Sequence, residues 1–135
     1  MAHYTESLER RFSDLDLLGH VNNVMYHDYL QEARIRVTRR LRKSGLPIPP
    51  QVLARQEIDH LRPLHLRTQP IRIDMWIESV GRSSYVMRAE IVDDDGTVAA
   101  RARSVLVGFD KDTEKSAPLP EEFRTYLLGL LEVAE

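Results

Sequence analysis

Asp14, Asp16, His20, Asn22 and Asn23 fall within ten residues of the stretch SDLDLLGHVNNVMY, Ser13 to Tyr26. Two carboxylates, an imidazole and two amides are sufficient for acid–base or nucleophilic chemistry. Gly19 lies among them and permits a positive φ. Two readings fit this cluster. In one it is turn and cap chemistry, because Asp and Asn favour turns and Asn22 or Asn23 can cap a helix. In the other, the helix that follows presents unpaired backbone N–H groups and a partial charge of roughly +0.5 to a carbonyl that becomes an oxyanion. A carboxylate held beside that terminus could attack the carbonyl or activate water. Spacing alone leaves both readings open.

The elements that must hold the cluster are a strand before it and a helix after it. Tyr4 to Phe12 is weakly patterned as a strand, with Leu8 and Phe12 as its apolar anchors after Tyr4. From Asn22 or Asn23, the residues Tyr26, Leu30, Ala33, Val37 and Leu41 recur every three or four positions and predict one stripe of a long helix. Asp28, Gln31, Glu32, Arg36 and Arg39 take the opposite face, and Gly45 with Pro47 ends the helix. SGLPIPP is a linker. Beyond Val52 the pattern is mostly β. Ile71, Ile73, Met75 and Ile77 alternate with polar residues or Trp76, and Tyr85, Met87, Ala89 and Ile91 repeat the pattern. DDDG, Asp93 to Gly96, predicts a hairpin turn before a strand from Thr97. In that strand Val98, Ala100, Ala102 and Ser104 share a face small enough for a helix to approach, while Arg101 and Arg103 point away. Pro118 to Glu135 ends in a short helix, with Glu121 and Glu122 at its positive end. The expected fold class is α+β, a single domain over residues 1–135 with one helix packed on an antiparallel sheet. Trp76, Val86, Val105, Val107 and Phe109 make the outer sheet face apolar, which with unpaired edge strands predicts self-association.

The string D-L-D-x-x-G-H-V-N-N-x-x-Y, here Asp14 to Tyr26, resembles the signature of hotdog-fold thioesterases of the 4-hydroxybenzoyl-CoA thioesterase type. QEAR, Gln31 to Arg34, and the later PLPEE also fit that group. The resemblance implies a hotdog fold, an antiparallel sheet wrapped around one long central helix with a short C-terminal helix. It implies hydrolysis of an acyl-CoA thioester, with Asp16 as nucleophile or general base and the Asn23 backbone N–H as oxyanion donor. Gly19 then allows close approach of the loop to substrate, and His20 and Asn22 organise the loop. Tyr26 faces either the acyl pocket or the core. Asp14 is expected as a hydrogen-bonding turn residue and not as a second catalyst. A thioester carbonyl lacks amide resonance and its thiolate leaves readily, so one carboxylate and oriented N–H donors suffice. No cofactor is expected, coenzyme A being part of the substrate, and the expected assembly is a homodimer or tetramer with active sites at the subunit interface.

Other signals are weaker. Arg34, Arg36, Arg39, Arg40, Arg42 and Lys43 crowd the later turns of the helix. Their default role is a solvated face favoured by the helix dipole, the alternative being contact with CoA phosphates or an acyl carrier protein. Arg88, Arg101 and Arg103 are similar candidates for substrate binding. His27, His60 and His65 lack metal-ligand spacing, and DDDG lacks the distal Glu of a calcium loop, so no metal is expected. The net charge of −2 gives no basis for nucleic-acid binding, and the absence of cysteine removes thiolate chemistry. No apolar run suits a signal peptide or a membrane span, from which a cytoplasmic location is expected. An acyl-ACP thioesterase of the plant type would carry D-x-N-x-H, where this chain has Leu18. A hotdog hydratase would place the His five residues after the Asp, whereas His20 follows Asp16 by four. A non-catalytic acyl-CoA-binding protein would keep the same fold, and the retained Asp16 speaks against it.

Overall fold

The computed structural model describes residues 2–132. Strand β1 (Tyr4–Leu8) is followed by a short 3-10 turn (Phe12–Asp14), helix α1 (Asn23–Lys43), strands β2 (Gln51–His60), β3 (Ile71–Val80), β4 (Ser84–Val92), β5 (Val98–Asp110) and β6 (Lys115–Ser116), and helix α2 (Glu121–Glu132). All pairings are antiparallel, in the order β1-β3-β4-β5-β2, with the two-residue β6 added to the end of β5. The strand, helix, meander and tail-helix order is the one the periodicities predict.

The inner sheet face is built by the period-two residues. Ile71, Ile73, Met75 and Ile77 of β3 and Tyr85, Met87, Ala89 and Ile91 of β4 are all buried. Each large aliphatic chain removed from water in this way contributes about 1.5–3 kcal/mol. The α1 stripe of Tyr26, Leu30, Ala33 and Val37 packs into the same core, Leu41 is half-buried against it, and Tyr29 joins the stripe three residues after Tyr26. SGLPIPP has neither helix nor strand structure.

Three expectations are corrected, and a fourth, the DDDG hairpin, is met. The first strand stops at Leu8, and Phe12 is 80% exposed on the 3-10 turn instead of anchoring the sheet. In β5 the pairing shifts between Ile91 and Val92, so that Ala99 is buried beside Ala100 and Val98 turns partly outward. The DDDG hairpin does form, with the Asp93 N–H donating to the Thr97 carbonyl at 2.8 Å and Gly96 at φ +88°, but Asp93 is buried for a reason unrelated to the turn, given below. Finally, α1 is not alone against the sheet. Phe123 and Leu127 of α2 are fully buried in the shared core, Phe123 meets Tyr85 edge to face at 5.6 Å, and the Tyr126 and Tyr4 hydroxyls lie 2.6 Å apart. The predicted tail of that helix, residues 133–135, lies outside the described residues. No described helix is long and apolar enough to cross a membrane.

Candidate active site

The loop between the 3-10 turn and α1 is a small antiparallel loop closed by its own polar groups. Leu15 pairs with Val21, and the Asp16 N–H donates to the His20 carbonyl at 2.8 Å. Gly19, at φ +77°, turns the chain so that its N–H reaches the Asp16 carbonyl at 3.1 Å. One carboxylate oxygen of Asp16, Oδ1, accepts from the Leu18 N–H at 2.8 Å and the His20 N–H at 3.3 Å. Among the described residues nothing donates to the other oxygen. The carboxylate is therefore oriented through one oxygen, Oδ1, by two backbone N–H groups.

Asn22 caps α1, its side-chain oxygen accepting from the Val24 N–H at 3.0 Å and its carbonyl from the Met25 N–H at 2.8 Å. Asn23 is the first helical residue. Its N–H has no acceptor among the described residues, as the first donors of a helix have none within the helix. Asp16, His20, Asn23 and Tyr26 line one cleft of about 270 Å³, with His60 and Arg62 on its far side. The structure thus brings together the carboxylate, the helix-terminal N–H and Tyr26. Gly19 and Asn22 line the adjoining surface beside Asp16. Tyr26 is core and cleft at once: it is 1% exposed, its ring meets His60 edge to face at 4.7 Å, and burial raises its phenol pKa.

Asp14 has the structural role expected of it. It is 1% exposed, and its carboxylate accepts from the Tyr29 hydroxyl at 2.7 Å, the Arg11 N–H at 3.1 Å and the Arg11 guanidinium. Burial alone would raise this carboxyl, but the Tyr29 and Arg11 hydrogen bonds more than offset it and hold the group below the usual carboxylate range. The Asp14 carbonyl accepts the Asn22 N–H at 2.8 Å, which ties the buried acid to the helix cap.

Arg88, Arg101 and Arg103 are not brought to this cleft. They stand on the outer face of the sheet, opposite the helices, where Arg101 pairs with Glu90 at 3.0 Å and Arg103 with Glu78 at 2.9 Å. Arg88 lies 3.8 Å from Glu78 and 5.3 Å above the Trp76 ring.

The support of the loop comes from residues distant in the chain and leaves no local signature in the sequence. The Val21 N–H donates to the Leu64 carbonyl at 2.8 Å, and His20 pairs with His65, their rings edge to face at 4.9 Å. Residues 65–69 are in turn held by Arg10, whose side chain is fully buried. It donates to the His65 carbonyl at 3.0 Å and the Gln69 carbonyl at 3.1 Å, and it pairs with Asp93 at 2.8 Å and Asp94 at 2.7 Å. This is why the first acid of the DDDG turn, Asp93, is folded inward. The only cue available was that HLRPLH supplies two histidines with no metal partner. Among the described residues no three His, Asp or Glu side chains are grouped to hold a metal ion.

A family model described as the thioesterase-like superfamily matches residues 10–127. A thioesterase from Thermus thermophilus, crystallised with coenzyme A and zinc, is 34% identical with a TM-score of 0.80, covering 94% of this chain and 98% of that one. A predicted thioesterase from Bacillus stearothermophilus is 27% identical with a TM-score of 0.82, covering 94% and 95% of the two chains. The uncharacterized protein YsmA of Bacillus subtilis is 29% identical over 119 residues, 87% of this chain and 80% of its own length.

Proposed function

Because the chain belongs to the thioesterase-like superfamily, we propose that it hydrolyses an acyl-CoA thioester with Asp16 as nucleophile or general base and the Asn23 backbone N–H as oxyanion donor. That it is a thioester hydrolase of hotdog fold follows from the family and from its thioesterase neighbours. The observation that carries the assignment of residues is the asymmetry of Asp16: one oxygen is fixed by two backbone N–H groups, and the other is unclaimed in a cleft shared with the first N–H of α1.

In this arrangement the thioester carbonyl oxygen points at the Asn23 N–H, where the partial positive charge of the helix end favours an oxyanion. The free oxygen of Asp16 either attacks the carbonyl carbon, giving an anhydride that water then cleaves, or takes a proton from water as that water attacks. In both routes the thiolate of coenzyme A leaves and the acid is released. His20 holds the loop through its N–H and carbonyl, and Gly19 supplies the turn. Tyr26 borders the acyl group.

We further propose a homodimer or tetramer with the site at the subunit interface. Supporting this, Phe12, Leu17 and Leu18 around the loop are exposed, β2 is a long edge strand, and Trp76, Val86 and Val105 remain partly open on the outer face. Sedimentation giving a monomer at micromolar concentration overturns that part.

The test of the chemistry is thiol release from aromatic, short, medium and long acyl-CoAs by wild type and Asp16→Asn. Turnover of one or more of them by the wild type and its loss in the variant support the mechanism. Hydrolysis unaffected by the substitution overturns it.

A further inference from the structure

Along the second half of α1 another cleft, of about 420 Å³, opens between the helix and the sheet. Tyr85, Met87 and Leu106 form an apolar floor, and Arg34, Arg39 and Arg42 form one wall. No Asp or Glu lines it. Neighbouring arginines of the same helix are neutralised, Arg36 by Glu32 at 3.1 Å and Arg40 by Glu6. Among the described residues no carboxylate pairs with Arg34, Arg39 or Arg42.

Arg34 is the unusual member. It is half-buried, and burial pulls its pKa down. A guanidinium carries five N–H donors. Among the described residues, the acceptor held against it is the Gln56 amide oxygen, 2.8 Å from Nη1. Gln56 cannot turn away, because the same oxygen accepts the Ser104 hydroxyl at 2.7 Å and its amide nitrogen meets His27 Nδ1 at 2.7 Å. The helix dipole does not account for this cation, since Arg34 stands more than two turns before the helix ends at Lys43 and the dipole acts within the last turn. A partly desolvated cation facing an acid-free cleft lacks its counter-charge, and two further cations stand at the rim.

We propose that this cleft is an anion subsite, in which Arg34, with Arg39 and Arg42 at the rim, receives a phosphate or carboxylate group of the thioester substrate. This rests on the thioesterase reading above. Asn23 and Arg34 are separated by eleven residues of helix, about 16 Å along its axis at 1.5 Å per residue. That span suits an extended pantetheine arm ending in the diphosphate of coenzyme A, and equally a long acyl chain ending in a carboxylate. The recognised chemistry is the same, an oxyanion met by a forked guanidinium.

Three ligands separate the sources: an acyl-CoA, the same acyl group on pantetheine without phosphates, and the acyl-CoA of equal chain length with a terminal carboxylate. Each is tested as substrate and as its thioether analogue, whose binding is read by calorimetry without turnover. The proteins are wild type, Arg34→Gln, and Arg39→Gln with Arg42→Gln. If the diphosphate is the occupant, the wild-type preference for acyl-CoA over acyl-pantetheine collapses by roughly tenfold or more in KM and in analogue affinity, with kcat little changed. If the carboxylate is the occupant, the preference for the carboxylated chain collapses instead. Both preferences surviving intact in the variants, or neither existing in the wild type, overturns the subsite. The rim double variant lies on exposed positions and decides the matter if Arg34→Gln does not fold. Absence of hydrolysis by the wild type, with analogue binding still sensitive to these arginines, overturns the catalytic reading and leaves the subsite standing.

Discussion

The Tyr29 hydroxyl donates to the Asp14 carboxylate across 2.7 Å in the interior of the protein, linking the second turn of α1 to the 3-10 turn that precedes the Asp16 loop. Asp14 is ionised there because Tyr29 and Arg11 compensate its burial. Tyr29→Phe leaves a buried acceptor short of a donor and is expected to cost about 1–3 kcal/mol in urea unfolding.

The same pair sets a pH dependence with a definite sign. The folded pKa of Asp14 lies below its unfolded value, so its contribution is complete above the unfolded pKa, near 3.9, and is lost as pH falls through the folded one. Removing the Tyr29 hydroxyl raises the folded pKa. The acid-unfolding midpoint of Tyr29→Phe is therefore expected at higher pH than that of the wild type, beyond the shift that its lower stability at neutral pH alone produces. Asp14→Asn in the Tyr29→Phe background should remove that extra shift, which circular dichroism across pH 2–7 (roughly the carboxylate range) will show.

Arg10 and Arg11 are adjacent and identical in sequence, yet the first has a side chain with no exposure and the second is 58% exposed. Arg10→Met leaves Asp93 buried without its cation and is expected to destabilise by about 3–5 kcal/mol. Because Arg10 holds the His65 carbonyl and His65 pairs with His20, the variant should also lose kcat at temperatures where it remains folded. Thermal unfolding alongside activity at low temperature separates the two effects.

That contrast marks the limit of what the sequence discloses. The β3 alternation and the α1 stripe are local periodicities, and the Asn22 cap is local chemistry, so each was legible along the chain. Asp16 was singled out only by the resemblance of its loop to a thioesterase signature, because spacing alone left the cap and the catalytic readings both open. The supports of the site come from residues 60–69 and 93–94, brought in by the meander, and nothing in LERRF distinguishes a buried arginine from an exposed one. Phe12 misled for the converse reason: a large apolar residue reads as an anchor, while the chain has already left the sheet at Leu8. Tyr29 was within reach, standing on the stripe at three residues from Tyr26.

Asp16→Asn keeps the side-chain oxygen that accepts from the Leu18 and His20 N–H groups, so the loop should hold its shape. What is lost is the charge on the free oxygen. A drop in kcat of roughly 10²–10⁴-fold is expected, with KM changed little. Unfolding measured on the same sample should match the wild type closely, which identifies the loss as chemical.

The Asn23 side chain is a poor probe of an oxyanion donor that belongs to the backbone, but its position offers a direct one. Asn23 is the first helical residue, where proline is well tolerated because that N–H has no partner within the helix and φ is already near the proline value. The residue before it must be extended, and Asn22 is, at φ −61° and ψ 136°. Asn23→Pro should therefore leave α1 intact while deleting the single N–H assigned to the oxyanion. Removal of one such donor costs roughly 10²–10³-fold in kcat, about 2.7–4 kcal/mol of barrier. Asn23→Ala, which keeps the N–H, should retain most of the activity. Equal activity of the proline and alanine variants, with both folded, would place the oxyanion elsewhere in the cleft.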